Sequence, residues 1–136
     1  MGLLIDSSVL IAAERGRIQL RDVIAGNGEE SLAISVITAS ELLHGIHRAK
    51  TLDQASKRQQ FANFVLDLFP VIPIDLEVAR YHARVWAGLQ ARGEMIGAHD
   101  LLIAASALAV DYAVVTFNVD EFRRVPALRV LNPPTD

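Results

Sequence analysis

Short apolar runs alternate along this chain with longer stretches in which apolar residues recur at helical spacing. Residues 2–5, 32–35, 71–74 and 113–116 are runs of the first kind. They are too short for helices, and all but the third are bounded by polar or turn residues, so they predict strands buried in a sheet. Pro70 and Pro73 bracket the third run, which places it near a sheet edge. Between the runs the spacing predicts helices over 9–15, 18–25, 37–49, 52–68, 76–92 and 100–109. Gly16 and Gly93 stop two of them, Asp75 caps one, and Gly26-Asn27-Gly28 reads as a turn. Phe61, Phe64, Val65 and Leu68 predict the buried face of the fourth helix; Val78, Val85, Trp86 and Leu89 predict that of the fifth. The helix over 100–109 is almost wholly apolar and is expected deepest. Residues 122–131 form a mixed tail with a last strand, and Pro133-Pro134 ends the ordered chain.

Strands alternating with helices predict an α/β fold: a three-layer α/β/α sandwich with a central mainly parallel sheet, as one domain over residues 1–136. Right-handed crossovers then gather every strand-to-helix turn at one edge, where such sheets bind ligands.

Composition narrows the function classes. Half of the 136 residues are hydrophobic (51%), so the chain can bury a real core. A net charge of −3 argues against coating nucleic acid by charge alone, though not against a local basic rim. No cysteine is present, which excludes disulfides and thiolate zinc sites and suits a reducing cytosol. The apolar run of the N-terminus meets Asp6 too early for a signal peptide, and the run over 101–110 is about half a membrane span. A cytoplasmic protein without a membrane anchor is expected.

Against this background four acidic stations stand out. Asp6 follows the first strand, Glu41 lies beyond the second, Asp100 opens the apolar helix, and Asn118, Asp120 and Glu121 follow the strand over 113–116. Carboxylates brought to one sheet edge repel each other unless protons or a cation intervene, and a divalent ion held by oxygen ligands resolves the conflict. Each residue also has a purely structural reading. Asp6 can cap a helix, Thr38-Ala39-Ser40-Glu41 fits a capping box, Asp100 can complement a helix dipole, and Asn118 suits a turn. For Asp100 the apolar surroundings weigh against that reading, because no Lys or Arg neighbours it in sequence.

Glu41, His44 and His47 share a helical face, but a di-iron Glu-x-x-His site needs a second copy that the chain lacks. His44 and His47, with Arg48 and Lys50, therefore predict a basic helix end. His99 adjoins Asp100 in sequence. Eleven arginines against two lysines point mildly toward phosphate or an acidic partner, and Arg123 and Arg124 beside the last station are the best rim candidates.

The segments LLIDSSVLI, SVITASELLHGI, IGAHDLLIAASAL and VVTFNVDEF resemble, in order and spacing, those of the PIN-domain ribonucleases, and within them the VapC-type toxins of toxin–antitoxin pairs. The resemblance implies that Asp6, Glu41 and Asp100 form the catalytic, metal-binding set, supported by Ser8 and Thr116. It implies a Mg²⁺- or Mn²⁺-dependent endoribonuclease leaving 5′-phosphate and 3′-hydroxyl ends, a VapB-like antitoxin partner and a homodimer. Arg123 and Arg124 would then contact RNA. The family commonly carries a fourth acid where this chain has Asn118; Asp120 or Glu121 can stand in, or water can complete the shell. A PIN-fold protein that binds RNA or a partner with little or no catalysis is the alternative that Asn118 leaves open. Two rivals fail on single residues. A haloacid-dehalogenase-type phosphatase needs an aspartate where Ser8 stands, and a receiver domain needs a lysine beyond Lys57.

Overall fold

The computed structural model describes residues 2–26, 28 and 30–134. Five parallel strands, β1 (Gly2–Ile5), β2 (Ser31–Ser35), β3 (Val71–Ile72), β4 (Tyr112–Val115) and β5 (Val130–Leu131), form one sheet in the order β3-β2-β1-β4-β5. The expected sandwich is thus present, with a sheet parallel throughout. Among the described residues seven helices connect the strands: α1 (Ser7–Glu14), α2 (Leu20–Gly26), α3 (Val36–His47), α4 (Leu52–Leu68), α5 (Leu76–Arg92), α6 (Ala98–Val110) and α7 (Val119–Phe122).

Alternation along the central strands divides the core in two. Leu3, Ile5, Ile34, Ala113 and Val115 face one way and pack with α1, α2, α3 and α4 through Val9, Leu10, Val23, Leu42 and Val65. Leu4, Ala33 and Val114 face the other way, toward Val85 and Leu89 of α5, Ile103, Ala104 and Ala107 of α6, and Phe122. Small residues along α6 admit close packing, and its one buried hydroxyl, on Ser106, donates to the Leu102 carbonyl at 2.8 Å. Gly2 permits a close approach of another kind, because a Cβ there would fall within the ring of Tyr112 on the neighbouring strand.

The structure corrects several expectations. Trp86 is about half exposed and stacks obliquely on His82, because α5 buries the Val78, Val85 and Leu89 line one position away. Phe64 and Leu68 are exposed as well. The small Ala62 lets α4 seat itself through Phe61, Ala62 and Val65 instead. Ile74 lies outside β3, which ends at Ile72, and the strand is indeed at an edge. The tail holds both a helical turn, α7, and β5. Of the expected Gly26-Asn27-Gly28 turn, Asn27 lies outside the described residues.

This topology fixes the site. The chain leaves β1 toward β2 on one side and later returns to place β4 on the other. The carboxyl ends of β1 and β4 lie side by side, with Ile5 paired to Val115. Asp6 and Thr116, the next residues of each strand, are therefore neighbours at the crevice where such sheets bind ligands.

Candidate active site

Asp6 sits at the end of β1 and is almost wholly buried (1% exposed). Its two carboxylate oxygens have different surroundings. Oδ2 accepts from Ser8 Oγ at 2.7 Å, from Thr116 Oγ1 at 2.8 Å and, at the long distance of 3.4 Å, from the Ser8 amide. The last contact is the expected N-cap of α1, so the structural and functional readings of Asp6 coexist on one oxygen. Oδ1 is buried without any hydrogen-bond partner.

Ser8 and Thr116 hold the aspartate through side chains that are themselves fixed. Thr116 Oγ1 accepts from the Asn118 amide at 2.9 Å, and Ser8 Oγ accepts from the Phe117 amide at 3.1 Å. Both hydroxyl protons point to Asp6, so the 3.3 Å approach of Ser8 Oγ to Thr116 Oγ1 is a packing contact rather than a third bond.

Glu41 reaches the cluster from α3. That helix begins at Val36, capped by Ser35, whose Oγ accepts from the Ile37 amide at 3.1 Å. Thr38 thus lies inside the helix, the Thr38–Glu41 capping box does not form, and Thr38 Oγ1 is buried without a partner. Glu41 Oε1 instead accepts from Ser7 Oγ at 3.1 Å, and His99 Nδ1 stands 3.8 Å from Oε2. Burial pushes the Glu41 carboxyl above its ordinary value, opposed by Ser7 and His99 and reinforced by the charge of Asp6.

Asp100 lies in the first turn of α6, which has Gly97 as its N-cap and no side-chain cap. Its pKa is pushed up to about 7, first by burial, then by Asp6, by a hydrogen bond shared with Glu121, and by the charges of Glu121 and Glu41. Among the described residues no positively charged side chain opposes these effects. Glu121, on α7, also accepts from the Gly97 amide at 2.6 Å. A Cβ at Gly97 would lie 3.5 Å from Glu121 Oε1 and 3.8 Å from Asp100 Oδ2, ordinary van der Waals contact with both carboxylates.

Asp6, Glu41 and Asp100 thus act on one another at one sheet edge, with Ser8 and Thr116 behind Asp6. In the last station Glu121 is the acid that joins them; Asp120 is exposed and neither its side chain nor that of Asn118 makes a hydrogen bond among the described residues. Arg124 directs one guanidinium nitrogen to the Met95 carbonyl at 3.0 Å, and Arg123 is exposed. His44, Arg48, Lys50 and Arg58 line a groove of about 520 Å³ that also borders Glu41 and His99. Sequence reasoning did not single out Ser7. The serine run after Asp6 was visible, but only the fold shows that Ser7 faces α3.

The donor set suits a hard divalent cation. It is made of carboxylate oxygens, one of them buried and unpartnered, with two carboxyl pKa values raised first by burial and then by neighbouring carboxylates. Among the described residues no three Asp, Glu or His side chains are already arranged to hold an ion.

Comparison with known proteins agrees with this geometry. The PIN domain family matches residues 3–128. Ribonuclease VapC of Rickettsia bellii is 37% identical over 134 residues, 98% of each chain. VapBC2 of Rickettsia felis, solved bound to a DNA fragment from its promoter, superposes with a TM-score of 0.88 at 25% identity, covering 98% of this chain and 100% of that one. DNA-bound VapBC of Salmonella typhimurium gives 0.84 at 26% identity over 97% and 98% of the two chains. By sequence over nearly its whole length, and by the fold that carries its carboxylate cluster, this chain belongs to the PIN-domain family and, within it, to the VapC-type ribonuclease toxins.

Proposed function

We propose that this chain is a Mg²⁺- or Mn²⁺-dependent endoribonuclease, the toxin of a VapBC-like toxin–antitoxin pair. The observation that carries the metal requirement is Asp6 Oδ1, a buried carboxylate oxygen with no donor, in a cluster where the carboxyl pKa values of Glu41 and Asp100 are raised. Leaving such an atom without a partner costs about 1–3 kcal/mol or more for a charged group, and a cation would remove that cost.

Asp6, Asp100 and Glu41 would hold the ion, and Glu121 takes the role that Asn118 cannot fill with charge. When bound, the ion would supply Lewis acidity at a phosphoryl oxygen and lower the pKa of an attacking water. Ser8 and Thr116 keep Asp6 in one rotamer by fixing Oδ2. Glu41, held by Ser7, would orient water and accept its proton; the upward shift of its carboxyl makes it a better base than an ordinary carboxylate.

The antitoxin would be a VapB-like protein, as in the VapBC complexes that share this fold. A carboxylate cluster lacking a cation attracts a guanidinium strongly, which gives such a partner a route to inhibit. A homodimer is supported by Phe64, Leu68 and Val71, apolar side chains left exposed near the edge strand β3. No helix among the described residues is long and apolar enough to cross a membrane.

The test is cleavage of total RNA by the purified protein with Mg²⁺ or Mn²⁺. Activity should vanish in EDTA and in Asp6→Ala. Cleavage surviving both would refute the site. Tight RNA binding with no cleavage under any metal would favour the non-catalytic alternative.

A further inference from the structure

A depression of about 450 Å³ shares Ile11 and Arg15 with the groove beside Glu41 but opens on Ser8 and Phe117. Its size is that of a small-ligand site, about 300–1,000 Å³. Ile11, Ala12 and Ile18 give it an apolar floor, and Phe117 stands on its wall with 41% of its surface exposed. Arg15 and Arg17 form its rim. Both are exposed, and neither guanidinium makes a hydrogen bond or ion pair among the described residues. Elsewhere Arg58, Arg92 and Arg129 pair with Glu14, Glu94 and Asp111. Arg15 and Arg17 thus leave two guanidiniums available beside one exposed aromatic side chain.

The depression is joined to the carboxylate cluster by a single atom. Ser8 Oγ donates to Asp6 Oδ2 at 2.7 Å and accepts the Phe117 amide at 3.1 Å, so the ring's backbone is fixed relative to the proposed metal ligand. An aromatic face over an apolar floor suits a stacked base, and adjacent guanidiniums suit phosphates. An apolar peptide side chain would fit the floor equally well but would leave both guanidiniums unpaired. We propose that this depression is a nucleotide subsite, in which Phe117 stacks on a base of single-stranded RNA beside the scissile phosphate while Arg15 and Arg17 grip the flanking phosphates. The role beside a scissile phosphate rests on the ribonuclease reading; binding of a single-stranded nucleotide does not.

The experiment is fluorescence anisotropy of a labelled single-stranded RNA decamer with the full chain in EDTA, at several salt concentrations. Phe117→Ala and Phe117→Leu should each weaken binding roughly 5- to 100-fold, the usual contribution of one base–aromatic stack, and Phe117→Trp should restore it. Arg15→Ala and Arg17→Ala should each flatten the slope of log affinity against log salt by about 0.7. Leucine binding as well as phenylalanine, or a slope unchanged in both arginine variants, overturns the subsite. So does a result in which these variants bind RNA normally but lose a protein partner, which would assign the depression to that partner. If binding depends on Phe117 as stated yet no metal supports cleavage, the subsite stands and the ribonuclease reading falls.

Discussion

Replacing Asp100 by asparagine should stabilise the metal-free protein at alkaline pH while removing activity. In the folded state the Asp100 carboxyl titrates near 7, above its ordinary 3.8. A group raised in this way favours folding below its unfolded value, and that contribution is lost as pH rises through the folded one. Metal-free stability should therefore fall between about pH 4 and pH 7 and then level off. The full displacement corresponds to about 4 kcal/mol at 1.36 kcal/mol per pH unit. Asp100 is only half-buried, and solvent screening reduces this to about 1–2 kcal/mol. Asparagine removes the charge, and its amide can donate to Glu121 without a shared proton. With about 2.1 cal/mol/K of unfolding entropy per residue, a 136-residue chain should gain about 3–7 °C in Tm at pH 8. At pH 4 the two proteins should melt within about 1–2 °C of each other. Thermal melts followed by circular dichroism in EDTA at both pH values make the comparison. A lower Tm for Asp100→Asn at pH 8, or an equal difference at both pH values, would refute the claim that burial and neighbouring carboxylates disfavour the Asp100 charge.

Other outcomes follow from the same contacts. Thr116→Val keeps the shape but removes a donor to Asp6 Oδ2; metal affinity by calorimetry should drop about 10–100-fold with the fold intact, and unchanged affinity would deny its supporting role. Mg²⁺ binding should tighten from pH 6 to pH 8 and release protons below about pH 7, read as a buffer-dependent heat; a buffer-independent heat would show that Asp100 is already ionised. Gly2→Ala forces the Tyr112 ring aside and should cost about 1–3 kcal/mol in urea melts, whereas a neutral effect would mean that the ring swings away freely.

Strand placement and the sheet's direction were legible because runs such as Leu3–Ile5 and 113–115 are too short and too apolar to be anything else. Helix faces were less so. Counting apolar spacing gives a stripe but not its centre, and Trp86, Phe64 and Leu68 sit at the stripe's margin where small neighbours such as Ala62 decide what is buried. In the site, Asp6 and Asp100 could be placed at a strand end and a helix start from sequence, and Glu41 on the helix after the second strand. The choice of Glu121 over Asp120 could not, since it depends on α7 turning one of two adjacent acids toward Gly97. Nor could the loss of the Thr38–Glu41 box, which follows from the helix starting three residues earlier than a box would require, with Ser35 as its cap. The asymmetry of the Asp6 oxygens exists only in three dimensions, because Thr116 lies 110 residues away.

The most direct measurement is a crystal structure of the RNA-free protein grown with Mn²⁺, with anomalous scattering used to locate the ion. The account predicts a peak at coordination distance, about 2.0–2.3 Å, from Asp6 Oδ1, with Asp100 in its shell and Oδ2 still held by Ser8 and Thr116. An ion bound elsewhere, or Asp6 Oδ1 left without a ligand at saturating Mn²⁺, would contradict it.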